Sequence, residues 1–136
     1  MARITLKGNP INTIGNLPEV GTQAKDFNLV KQDLSTATLA SFAGKKKILN
    51  VFPSIDTAVC ASSVKKFHAQ AANRQGLVVL NISADLPFAA KRFCGAEGVE
   101  NATTLSTFRS NFAEEYGLKI VDGPLAGLCS RAVIIL

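Results

Sequence analysis

Lys47-Ile48-Leu49-Asn50-Val51-Phe52-Pro53-Ser54-Ile55-Asp56-Thr57-Ala58-Val59-Cys60 decides the reading of this chain. The run Lys47–Phe52 has the apolar density of a mostly buried strand. Pro53 and the polar residues after it interrupt that pattern, as a turn does. From Ala61 to Ala72 the spacing and composition predict a helix. Cys60 then falls in the first turn of the helix, where backbone N–H groups lack intrahelical acceptors. The positive end of the helix dipole favours a thiolate there. A thiolate is the nucleophile of thiol redox chemistry, whereas a thiol in mid-helix would be inert packing.

Working outward, Gly76–Ser83 reads as a second buried strand, its Val, Leu and Ile run calling for cover on both faces. Pro87 is well placed to open a helical stretch over Phe88–Phe93, which Cys94 and Gly95 end. Ala102–Ser106 reads as a short strand. Ser106 or Thr107 could cap a helix toward Tyr116, with Gly117 closing it. Arg131–Leu136 is a final apolar strand. At the other end, Ile4–Leu6 and Ile11–Ile14 flank Gly8-Asn9-Pro10 as a hairpin, and Asp26–Val30 alternates like a half-buried strand. A short turn or helix is expected around Leu39–Ala43. Strands alternating with helices predict an α/β fold around a mainly central sheet.

The chain has 136 residues, enough for one domain with a real core. Its composition, 47% hydrophobic and 18% charged, is that of an ordinary globular protein. No apolar run approaches the roughly 20 residues of a membrane span. The first eight residues lack the apolar region of a signal peptide, so the expected compartment is cytoplasmic. The net charge of +5 is dispersed apart from Lys45-Lys46-Lys47, which argues for solvated surface and against a nucleic-acid stripe. Cys60, Cys94 and Cys129 form no CxxC pair, and their odd number argues against a structural disulfide framework. With a single histidine, His68, no zinc ligand set is evident. No metal or cofactor is expected. His68 lies about two turns, some 12 Å, beyond Cys60, too far for direct base catalysis. Phe27, Phe52, Phe67, Phe88, Phe93, Phe108 and Phe112 read as core, with a few available to line an apolar mouth near Cys60.

Pro53-x-x-x-Thr57-x-x-Cys60 resembles the active-site signature of peroxiredoxins. Asn50–Cys60, Ile82–Phe88, Arg92–Gly98, Thr104–Arg109, Asp122–Leu125 and Arg131–Val133 together resemble the bacterial thiol peroxidases, the atypical two-cysteine subgroup. The resemblance runs over essentially the whole chain. It implies a thioredoxin-like fold, a central mixed sheet flanked by helices with an N-terminal β-hairpin. It also implies a homodimer that reduces hydroperoxides, alkyl or lipid hydroperoxides above hydrogen peroxide, with thioredoxin as reductant. Nucleic acid and membrane are not expected partners. Members of the family continue past the arginine-bearing strand with another strand and a helix. Residues 1–136 are therefore expected to be a single peroxiredoxin domain lacking that C-terminal portion.

The resemblance assigns roles. Cys60 is the peroxidatic nucleophile, and Arg131 is the active-site arginine with its permanent positive charge. Thr57 offers a hydroxyl to the peroxide or thiolate, and Pro53 shields the pocket from water. Read singly, Pro53 could merely end the strand, Thr57 merely cap a helix, and Arg131 merely open a strand at the surface. Attack on a peroxide leaves Cys60 as a sulfenic acid, which condenses with a second thiol. Family members bridge to the position of Cys94, the candidate resolving cysteine. That bond needs Cα atoms within about 7 Å. The resemblance implies that the two sulfurs are apart in the reduced state, so the two helix ends are expected to unwind locally, eased by Gly95 and Gly98. Cys129 departs from the family's small residue and reads as apolar filler. A strand beginning that early would instead turn Cys129 to the same side as Arg131. A rival to the peroxidase reading is a peroxide sensor in which Cys60 oxidation switches a partner. A general disulfide oxidoreductase is disfavoured by the missing CxxC.

Overall fold

The computed structural model describes residues 3–6, 8–71, 74–99 and 102–136. Two strands, β1 (Arg3–Leu6) and β2 (Asn9–Asn12), form the antiparallel N-terminal hairpin. Gly8 supplies a positive φ of 83° in its turn. Strands β3 (Leu29–Val30) and β4 (Thr36–Ala37) precede a 3-10 turn at Leu39–Phe42. Then come β5 (Lys46–Val51), helix α1 (Ala58–Ala71), β6 (Leu77–Ser83) and helix α2 (Pro87–Ala96). Strand β7 (Thr103–Ser106), a single-turn helix α3 (Phe112–Glu115) and β8 (Ala132–Ile135) complete the order.

The main sheet runs β4-β3-β7-β6-β5-β8. β5, β6 and β7 are parallel, while β8 and β3 join antiparallel at their respective sides. The sheet is thus mixed, as expected of an α/β layer fold. Leu49, Val51, Leu80 and Ile82 are fully buried in its neighbouring interior strands β5 and β6. Burial of each is worth about 1.5–3 kcal/mol. Asn50 and Asn81, also buried, face each other across β5 and β6. Asn50 Nδ2 donates to Asn81 Oδ1 at 3.0 Å, and Asn81 Nδ2 donates to the Thr103 carbonyl at 3.1 Å. This polar chain runs across the register that aligns β5, β6 and β7.

Some elements differ from expectation. The strand expected over Asp26–Val30 shrinks to Leu29–Val30, because the Asp26 carboxylate accepts the backbone N–H groups of Phe27 and Leu39. The helix expected from Ser106 or Thr107 begins only at Phe112. Ser106 belongs to β7, and its hydroxyl donates to the Asp85 carbonyl at 2.6 Å. Gly117 does close that helix. Its N–H donates to Glu114 and that of Leu118 to Ala113, the paired bonds of a Schellman motif. α2 continues through Cys94 and Gly95 to Ala96. The expected end of α1, Ala72, lies outside the described residues. Among the phenylalanines, Phe88 is 64% exposed and not core.

Candidate functional site

The ladder of β5 ends at Val51, and after six intervening residues the chain enters α1. The Thr57 carbonyl accepts the N–H of Ala61 at 2.9 Å, so Thr57 stands at the helix N-cap and Cys60 in the first turn. Cys60 is only 1% exposed. It packs in a small cluster with Phe52, Ile55, Val64, Phe93, Val99 and Cys94. The Ser63 hydroxyl donates to the Cys60 carbonyl at 2.8 Å, tightening the next turn.

Arg131, just before β8, donates from Nη2 to Cys60 Sγ at 3.0 Å. The pairing of β5 with β8 makes this possible. Val51 is opposite Ala132, so the residues next in line are the approach to Cys60 and Arg131. A guanidinium fixed beside the sulfur presents donors and a permanent positive charge to a thiolate.

Thr57 is exposed, and its hydroxyl donates to the Ser54 carbonyl at 2.9 Å. The proton of Thr57 is thus directed into the turn and not toward Cys60. Pro53 is half-buried at the exit from β5. The four residues of the expected site therefore fall at one end of β5, with Arg131 in direct contact with Cys60.

Cys94 sits in the last turn of α2, 2% exposed. Its carbonyl accepts the N–H of Val99 at 3.0 Å across Gly98, whose φ is 71°. That is the long bond of a second Schellman closure. Burial pushes the Cys94 thiol up, opposed by a hydrogen bond from Gln32. All three cysteines are free thiols, so this is the dithiol form. Cys129 is fully buried in the larger core, in an isolated bridge with Lys119, and β8 starts only at Ala132. It does not join the Cys60 cluster. Burial, above all, pushes its thiol up to about 11.

Two residues of this site had no role assigned from the sequence, although Asp85 lies within the resembling stretch Ile82–Phe88. Asp85, between β6 and α2, accepts from Ser54 Oγ at 2.8 Å, Ile55 N at 2.6 Å and Ser83 Oγ at 2.7 Å. It fastens the turn ahead of Cys60 to the sheet. Gln32, just beyond β3, donates from Nε2 to Thr104 Oγ1 at 2.7 Å and to Cys94 Sγ at 3.5 Å. Ion pairs Arg92–Asp56 at 2.8 Å and Lys65–Glu97 at 3.1 Å also join the α1 segment to α2. Among the described residues no three His, Cys, Asp or Glu side chains gather as a metal site, and no helix is long and apolar enough to cross a membrane.

The Redoxin family model matches residues 19–136. A thiol peroxidase of Mycobacterium bovis is 54% identical over 136 residues, all of this chain and 82% of its own. The chain belongs to the Redoxin family, among its bacterial thiol peroxidases. A peroxiredoxin-like protein from Aquifex aeolicus has a fold similar to this redoxin at a TM-score of 0.92 and 37% identity, covering 98% of this chain and 78% of that one. A thiol peroxidase from Chromobacterium violaceum superposes at a TM-score of 0.86 and 26% identity, with the same coverage. The thioredoxin-like architecture expected from the sequence is thereby established.

Proposed function

We propose that this redoxin performs thiol-dependent peroxide reduction with Cys60 as nucleophile and Cys94 as resolving thiol. The observation that carries the assignment is the 3.0 Å contact of Arg131 Nη2 with Cys60 Sγ in the first turn of α1. The Cys60 thiolate attacks one peroxide oxygen. A sulfur–oxygen bond forms, the O–O bond breaks, and the other oxygen leaves as alcohol or water after taking a proton. Arg131 and the first-turn N–H groups stabilise the charge that moves from sulfur to oxygen. Thr57 Oγ1 accepts from the peroxide O–H, and Pro53 keeps water from the sulfur.

Cys60 is then a sulfenic acid. The Cys94 thiolate attacks its sulfur, the S–S bond forms, and hydroxide leaves with a proton as water. A thioredoxin dithiol restores both thiols by exchange. Their shared apolar cluster, which Cys129 does not join, supports this pairing. The apolar surroundings, Phe52 and Phe93 among them, favour alkyl and lipid hydroperoxides. We also infer a cytoplasmic homodimer. Val59, Leu86 and Phe88, at the N-terminal turns of α1 and α2, are exposed apolar side chains suited to a partner.

The test is NADPH consumption with cumene hydroperoxide, thioredoxin and thioredoxin reductase. Turnover is expected for the natural chain, none for Cys60→Ser, and a loss of about 10²–10³ for Arg131→Met, the range for removing one oriented donor to developing charge. Turnover in Cys60→Ser equal to the natural chain would refute the assignment. Peroxide oxidation of Cys60 without sustained turnover would favour the sensor instead.

A further inference from the structure

Cys94 is gripped from two sides. Its carbonyl holds Val99 in the Schellman closure of α2, and its sulfur receives one hydrogen of the Gln32 amide. Gln32 is itself fixed. It follows β3, which is hydrogen-bonded to β7 at Val30–Ser106, and its Nε2 also donates to Thr104 Oγ1 on β7 at 2.7 Å. Thr104 is buried and in register with Asn81 of β6. The amide therefore reaches Cys94 from the rigid sheet, with both hydrogens directed at named acceptors.

Such a donor distinguishes the two redox states of Cys94. A thiol or thiolate sulfur accepts an N–H, the thiolate more strongly. A disulfide sulfur carries less charge, and the Cys60–Cys94 bond must obey its own torsion and Cα spacing. The Gln32 contact seen here belongs to the dithiol form.

We propose that Gln32 is a positioning residue that stabilises the dithiol form through Cys94 and so sets the reduction potential of the Cys60/Cys94 couple. The inference rests on the reading that these two cysteines form the working disulfide. Loss of the donor weakens the dithiol and leaves the disulfide untouched. The couple becomes more reducing, and its disulfide becomes harder for a thioredoxin dithiol to open. The burial that pushes the Cys94 thiol up, with Gln32 opposing it, agrees with a donor that acts on this sulfur.

The full chain and its Gln32→Met, Gln32→Glu and Gln32→Lys variants are equilibrated in mixtures of reduced and oxidised dithiothreitol. In that exchange two electrons and two protons pass from the dithiol reagent to the Cys60–Cys94 bond. The fraction of bond is read by alkylation and mass spectrometry, and far-ultraviolet circular dichroism reports that each variant is folded. Gln32→Met and Gln32→Glu, of similar length without a donor, are expected to favour the disulfide roughly tenfold, a potential lower by about 30 mV. Gln32→Lys, which keeps a donor on a comparable stem, is expected to stay near the natural value. Equal potentials for the natural chain and both donorless variants would overturn the role of Gln32 alone, as would Gln32→Lys shifting with the donorless pair. A natural chain that forms no Cys60–Cys94 bond with peroxide would instead remove the proposed cycle, and this inference with it.

Discussion

Asp85→Ala removes one acceptor group from three donors at once: the Ser54 hydroxyl, the Ile55 N–H and the Ser83 hydroxyl. Ile55 is buried, so its N–H is left without an acceptor, a penalty of about 1–3 kcal/mol. The two hydroxyls can rotate to other acceptors or water, and each adds about 0.5 kcal/mol. The expected loss is therefore about 2–4 kcal/mol of stability, roughly 6–15 °C in Tm for a domain of this size. Asp85→Asn separates the chemistry from the shape. Its remaining carbonyl oxygen can serve Ile55 and Ser83, and its amide can donate to Ser54 Oγ, so it is expected to cost only about 1 kcal/mol. Because these bonds hold the turn in front of Cys60, peroxide turnover is expected to fall about tenfold or more in Asp85→Ala and about threefold or less in Asp85→Asn. Calorimetry gives the first quantity and coupled NADPH consumption the second. The reasoning is refuted if Asp85→Ala melts and turns over like the natural chain, or if asparagine is as damaging as alanine.

Three further outcomes are expected. Gly117→Ala should lower the urea midpoint by more than any surface change: its Cβ would collide with the Asn16 carbonyl oxygen, at a φ of +68° that L side chains rarely adopt. Cys129 titrates from an ordinary 9.0 up to about 11 in the folded chain, so the unfolded chain loses this proton first. Its stabilising contribution is then complete below pH 9 and declines as pH rises toward about 11, a decline that urea titrations should show and that Cys129→Ala should make shallower without loss of peroxidase turnover, the buried Cys94 thiol and Tyr116 keeping their own shares. Arg92→Ala opens the exposed pair with Asp56 and should move the urea midpoint by the equivalent of less than about 1 kcal/mol; a larger effect would mean that the pair does more than join two solvated side chains.

The parts of the fold that could be read in advance were those in which local pattern and tertiary burial agree. Lys47–Phe52 is apolar because β5 is central to the sheet, and Cys60 falls in a first turn because Pro53–Thr57 cannot prolong the ladder. Gly117 announced the end of α3 by the conformation it alone adopts easily. The misread segments share another cause: side chains took over backbone donors or turned to distant carbonyls. Asp26 occupies the N–H groups of Phe27 and Leu39, and the Ser106 hydroxyl bonds to Asp85 instead of capping a helix. Within the site, Arg131 was found only through resemblance, since nothing local distinguishes it from a surface arginine. The roles of Asp85 and Gln32 were not legible for a simpler reason. Ser83 apart, their partners lie far along the chain, Ile55 being 30 residues from Asp85 and Cys94 62 from Gln32, and no spacing rule links them.

The ladder between β5 and β8 has a consequence for the order in which the protein becomes competent. Arg131 follows Cys60 by 71 positions, and β8 comes after β5, α1 and β6 in the chain. On the ribosome, β5, α1 and β6 emerge well before the arginine is made, so the thiol exists for a time without its guanidinium. Only when β8 zips along β5 in the register Val51–Ala132 does the charge arrive. A slip of two residues along that ladder would carry the arginine away by about 7 Å. If Arg131 serves Cys60 as proposed, reactivity is coupled to the docking of β8, and a nascent chain that has not yet reached it carries a sulfur that is not yet armed.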